Sequence, residues 1–80
     1  MWYYMTKYSF DSDKHVFGPF LTEEVAYEKM SADAQKEYDI DVNENGFDTD
    51  VYVDSEAGEI IITNHFYDRC DVTEFFTFEI

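Results

Sequence analysis

The chain has 80 residues, 19 carboxylates against five Lys and Arg, and a formal net charge of −14. Its 16 aromatic side chains separate it from acidic disordered segments, which lack the apolar surface to offset chain entropy. One domain of modest core spanning residues 1–80 is therefore expected, and the charge balance disfavours direct binding of nucleic acid or of an anionic membrane surface.

Trp2–Phe10 reads as a strand, with Trp2, Tyr4, Thr6, Tyr8 and Phe10 on one face at period two. The other face carries Tyr3 and Met5 and is also partly apolar, which suits an inner strand. Asp11-Ser12-Asp13-Lys14 reads as a polar turn, followed by a short extended approach over Val16–Phe20. Thr22 is a helix N-cap, with Glu23 and Glu24 complementing the positive end of the helix dipole. Ala26, Met30 and Ala34, flanked by Tyr27 and Tyr38, form an apolar stripe at helical spacing, so a helix is expected over Glu23–Glu37, with a kink near Ser31. Tyr38, Ile40 and Val42 alternate with Asp39 and Asp41, which predicts an extended exit from that helix.

Asn43-Glu44-Asn45-Gly46 is a turn, and Phe47–Asp54 a strand. Ser55-Glu56-Ala57-Gly58 turns the chain into a strand over Glu59–Phe66, and a last strand runs over Val72–Ile80. The order β-α-β-β-β predicts an α+β fold: a single antiparallel sheet of about four strands with one helix packed on a face. Strands such as Trp2–Phe10 or Val72–Ile80, if at an edge, offer a route to a homodimer.

The densest charge lies between Asp33 and Glu59, where ten carboxylates in 27 residues face only Lys36. Asp48, Asp50 and Asp54 share a strand face with Tyr52 between them. Same-face neighbours on a strand repeat at roughly 6.7 Å. Successive phosphates along one DNA strand are about 6–7 Å apart, so these carboxylates can stand where phosphates would. The candidate partner-binding set is Glu24, Glu28 and Glu37 on the helix, Asp39, Asp41 and Glu44 beyond it, and Asp48, Asp50, Tyr52 and Asp54 on the strand.

Asp41-Val-Asn43-Glu-Asn45-Gly46 resembles the first half of an EF-hand calcium loop, with oxygen ligands at positions one, three and five and glycine at six. The eighth position is Asp48 where an apolar residue is expected, and the twelfth is Tyr52 in place of a bidentate Glu, so an irregular calcium site is the alternative to a plain Asn-Gly turn. Catalytic signals are weak: His15 and His65 are far apart in sequence, no glycine loop cradles phosphate, and the single Cys70 gives no disulfide or metal-ligand spacing. A non-enzymatic protein without a cofactor is expected. The lone thiol, and a start that lacks a basic opening and apolar run, point to a cytoplasmic setting.

In size, acidity and aromatic content the whole chain resembles the small phage-encoded inhibitors that imitate DNA, among them anti-CRISPR, anti-restriction and uracil-DNA-glycosylase inhibitor proteins. The resemblance is one of composition, and no motif carries it. The Glu-Ser-Ile-type strand of the glycosylase inhibitors is missing, which disfavours that version; among the rest the resemblance favours the anti-CRISPR type, where compact single-domain proteins of a β-sheet and a helix at about this length are common. It implies a non-enzymatic DNA mimic that blocks the DNA-binding site of a basic partner, a defence nuclease or CRISPR effector, in the cytoplasm of an infected bacterium. A small acidic adaptor that binds a basic protein without mimicry is the alternative.

At −14 the folded chain repels itself, and salt screens such repulsion. Added NaCl is therefore expected to raise the melting temperature. A steady fall from low to moderate salt would contradict this.

Overall fold

Alternation in Trp2–Tyr8 (β1) puts Tyr4 and Thr6 in the core. In the computed structural model, which describes residues 1–80, β1 turns through Ser9 and Phe10 into a second strand, Asp11–Phe20 (β2). Thr22 caps the helix Glu23–Asp39 (α1), its hydroxyl accepting from the Val25 amide at 3.2 Å. Three further strands follow: Asp48–Asp54 (β3), Glu59–His65 (β4) and Cys70–Glu79 (β5). All five strands form one antiparallel sheet in the order β2-β1-β5-β4-β3. The fold is α+β with one sheet and one helix, as the sequence predicts, but the strands number five and the order is β-β-α-β-β-β.

The extra strand is β2. Asp11-Ser12-Asp13-Lys14 is the start of this edge strand and not a turn. A bulge occurs where Lys7 pairs with Lys14 and Tyr8 with Asp11, and the Asp11 carboxylate accepts from the Asp13 amide at 2.9 Å. Charged, bulged edges are tolerated because nothing pairs beyond them. β1 and β5 are central strands, each flanked on both sides, so neither offers a free edge to a second copy. The free edges belong to β2 and β3.

Ala26, Met30 and Ala34, one turn apart, bring α1 close onto the sheet. Tyr4, Met30, Ala34, Ile60, Ile62 and Phe75 make the core, with Phe20, Tyr27 and Tyr38 packed around it. Tyr4 stacks on Phe17 at 4.8 Å between ring centroids. The helix is unbroken at Ser31 and runs on past Glu37. Its exit is helical instead of extended: Ile40–Glu44 forms a π-helical turn, closed by the Asn45 amide donating to the Ile40 carbonyl at 3.0 Å. No helix is long and apolar enough to cross a membrane.

Gly58 closes the β3–β4 hairpin in the left-handed region (φ +66°), and a Cβ there would strike the Thr77 side chain. Met30 is fully enclosed. Met30→Ala is expected to cost ~2–5 kcal/mol, and Gly58→Ala ~1–2 kcal/mol or more. Both should appear in urea unfolding as lower midpoints at unchanged slope.

Candidate functional site

The pairing register assigns side chains to two faces. Toward α1 point Tyr4, Thr6, Ile60, Ile62, Thr73 and Phe75. The opposite face has no covering layer. Across it, Met5 pairs with Phe76, Phe76 with Glu59, and Glu59 with Asp54, while Lys7, Glu74, Ile61 and Tyr52 form the next row. Tyr3 stacks on Phe78 at 5.6 Å, and Lys7 Nζ sits 5.9 Å above the Phe76 ring. This open face has an apolar centre on β1 and β5 and an acidic flank on β3 and β4.

Asp48, Asp50, Tyr52 and Asp54 all lie on that flank, on the free edge strand β3. Tyr52 is 56% exposed. Asp54 accepts from the Ala57 amide at 3.1 Å and so caps the hairpin turn. Asp50 Oδ2 lies 2.7 Å from His65 Nε2. No Lys or Arg occurs on β3 or β4.

The helix acids of the candidate set stand on the other side of the sheet. Glu24 and Glu28 are exposed and line an open cleft of about 550 Å³ with Glu23, Tyr27, Ser55 and Glu56, where the helix start meets the β3–β4 turn. Glu37 faces the opposite flank and lines a smaller cleft with Tyr8, Asp33 and Lys36. Asp39 is exposed and accepts from Gln35 Nε2 at 3.0 Å; Glu44 is exposed in the π-helical turn. The ten residues therefore form no single surface. The strand group and the Glu23–Glu28 group are two acidic faces joined at the hairpin end.

Asp41 departs from the set. It is 5% exposed, and its Oδ2 accepts from Asn64 Nδ2 at 2.9 Å. Asn64 Oδ1 in turn accepts from Thr49 Oγ1 at 2.6 Å. This chain ties the helix exit to β4 and β3 and leaves Asp41 turned inward, away from any partner's surface. It also removes the first ligand of the calcium-loop resemblance, and nowhere do three or more His, Cys, Asp or Glu side chains converge to hold a metal ion.

Between α1 and β3 lies a groove of about 560 Å³, floored by Val51, Val53, Ile60 and Ile62 and walled by Tyr27 and Tyr38. Val51 and Val53 are 45% and 55% exposed because the helix stops short of the edge strand. Sequence reading also missed the approach of Cys70 Sγ to His65 Nδ1 at 3.3 Å. The signal was the four-residue connection 66–69, which makes the two residues facing partners across the β4–β5 hairpin.

Titration follows from burial. Burial raises the Glu37 carboxyl above the usual range, and the Asp41 charge adds to this. Burial also raises Tyr4, whose hydroxyl donates to Asp33, and Tyr8, near Glu37, Asp11 and Asp33.

No family model matches the chain, and no curated protein or solved structure is significantly similar to it.

Because the folded Glu37 binds its proton more tightly than the unfolded chain does, its contribution to stability is complete below the ordinary carboxylate range and is lost as pH rises through its raised value. Glu37→Gln should therefore melt higher than wild type at pH 7, with the gap closing toward pH 4. An equal gap at both pH values would assign the effect to something other than ionisation.

Proposed function

We propose that this chain is a non-enzymatic inhibitor that occupies the DNA-binding groove of a basic bacterial defence protein, a nuclease or a CRISPR effector, by imitating DNA. The observation that carries the reading is the row Asp48, Asp50 and Asp54 on a free edge strand, with no Lys or Arg on that strand or the next. Dimensions support it. The Cα trace measures 41 × 24 × 20 Å. A duplex 41 Å long carries about 24 phosphates at one per ~1.7 Å, against 19 carboxylates in this chain. Lys and Arg that hold phosphates in the target would meet the carboxylates of β3, and Tyr52 would fill space between them. Long-range attraction would raise the association rate, which would fall as salt rises.

A second reading rests on the uncovered apolar centre of the sheet, Tyr3, Met5, Phe76 and Phe78. A small acidic adaptor would grip a basic protein through such a centre with an acidic flank and without displacing DNA, since aromatic centres dominate many protein interfaces.

Displacement of a labelled duplex from purified restriction nucleases and CRISPR effectors separates the two. Wild type is expected to displace duplex from its target. Joint Asp48→Lys, Asp50→Lys and Asp54→Lys should weaken displacement far more than Asp→Ala at any one of them. A triple reversal that displaces DNA as well as wild type removes β3 from the mimic surface. Binding without displacement favours the adaptor.

A further inference from the structure

At one corner of the uncovered face, three adjacent strands contribute a connected set of side chains. Cys70 Sγ of β5 lies 3.3 Å from His65 Nδ1 of β4, and His65 Nε2 lies 2.7 Å from Asp50 Oδ2 of β3. The pairing sets this up, since Cys70 faces His65 and Asp50 sits two residues along β3, on the same face, from His65's partner, Asp48. A carboxylate on Nε2 favours the tautomer with its proton there, which leaves the Nδ1 lone pair turned to the thiol. Nucleophile, base and orienting group thus stand in the order that activated thiols use. The thiol is exposed.

The surroundings are strongly negative. Asp48 and Asp50 lie on β3, beside His65 and two strands from Cys70, and Asp68 and Asp71 flank the thiol in sequence. The single cation nearby is Arg69, which sits over the Phe66 ring and pairs with Asp71 at 3.3 Å and Asp68 at 3.6 Å. Four carboxylates against one guanidinium leave the corner negative.

We propose that Cys70 is a thiol–disulfide exchange site, with His65 as its proton acceptor and Asp50 as the positioning group, selective for disulfides that carry positive charge. The thiol proton passes from Sγ to Nδ1, so the corner's net charge does not change when the sulfur becomes nucleophilic. The thiolate attacks one sulfur of the incoming disulfide; the old S–S bond breaks as the new one forms. The departing thiolate takes the proton from His65, leaving a mixed disulfide on Cys70 and one free thiol. Cys70 is oxidised and the incoming disulfide is the oxidant. Selectivity comes from the four carboxylates, which concentrate a cationic reagent and repel an anionic one, and salt should erase it over a Debye length of about 8–10 Å. The assignment stands apart from the DNA-mimic reading, because its readout involves no nucleic acid.

The test follows mixed-disulfide formation by intact mass, using cystamine (dicationic) and dithiodipropionate (dianionic). Each rate is divided by that of 2-mercaptoethanol with the same reagent, which cancels their intrinsic reactivities. At low salt the normalised cystamine rate is expected to exceed the dithiodipropionate rate by about tenfold or more, and to approach it in high salt. His65→Gln should slow both reagents about tenfold while keeping their ratio, and Cys70→Ser should abolish the product. Equal normalised rates for the two reagents, or an unchanged rate in a folded His65→Gln, overturns the proposal. If His65→Gln does not fold, wild type is compared with itself in urea. A faster, charge-selective reaction in the folded state supports the site, and equal rates in both states refute it.

Discussion

One helix is too narrow for this sheet. Five strands span about 19 Å between outer strand axes, whereas a helix with its side chains is about 10–12 Å across. Ala26, Met30 and Ala34 set α1 over the centre, where it buries Tyr4, Phe75, Ile60 and Ile62. The lateral openings follow from that mismatch, and the far face is open because the one helix lies on the other side. β2 is exposed along nearly its whole length, Val51 and Val53 of β3 line a groove, and the far face of the sheet has no cover at all.

Such a small core must also hold against the repulsion of a −14 surface. The acids are kept mostly to the periphery: the helix start, the β3–β4 turn, the edge strand and the β4–β5 connection. Asp41 is the buried one, and it is kept by hydrogen bonding. A buried carboxylate without partners is costly, so the Asn64 amide, itself bonded to Thr49, is what makes the inward turn of the π-helical segment tenable. Glu37, half-buried beside the Asp41 charge, has its proton affinity raised.

Where the sequence was legible, local chemistry and tertiary packing agreed. Thr22 reads as a cap from its hydroxyl and the two glutamates behind it, and the Ala26-Met30-Ala34 stripe reads as a buried helix face; both occur. β3 and β4 read as strands because Val51-Tyr52-Val53 and Ile60-Ile61-Ile62 are β-branched and aromatic runs bounded by turn residues. Val16–Phe20 reads as extended, but the start of β2 was hidden by composition: Asp-Ser-Asp-Lys has more turn chemistry than the real turn, Ser9-Phe10. An edge strand tolerates such residues only because its outer side meets water, and no local pattern reports that. The helix exit was misread for a related reason. Alternating Ile40, Asp41 and Val42 look extended unless Asp41 is known to have a buried partner, and Asn64 lies 23 residues away. The candidate acids were legible as a set but not as a surface, because faces depend on register. The same is true of His65 and Cys70, which become neighbours only once the β4–β5 hairpin is formed.

A surface that imitates a polyanion must hold its charges at fixed spacing, since charges on a mobile strand would lose in ordering what they gain in attraction. β3 is paired on one side only, by β4, and the helix does not reach it. Its two ends are nevertheless fixed. Thr49 is bonded through Asn64 to Asp41 at the end where the helix exits, and the Asp54 carboxylate holds the Ala57 amide at the hairpin. Between these anchors the strand twist is set by pairing with Ile60, Ile61 and Ile62, which are half-buried or buried. Asp48 and Asp50 therefore project from a strand held by a buried polar network on one side of the sheet while their carboxylates face outward on the other. Asp41 contributes no charge to the outer surface, yet it helps determine where the surface charges stand.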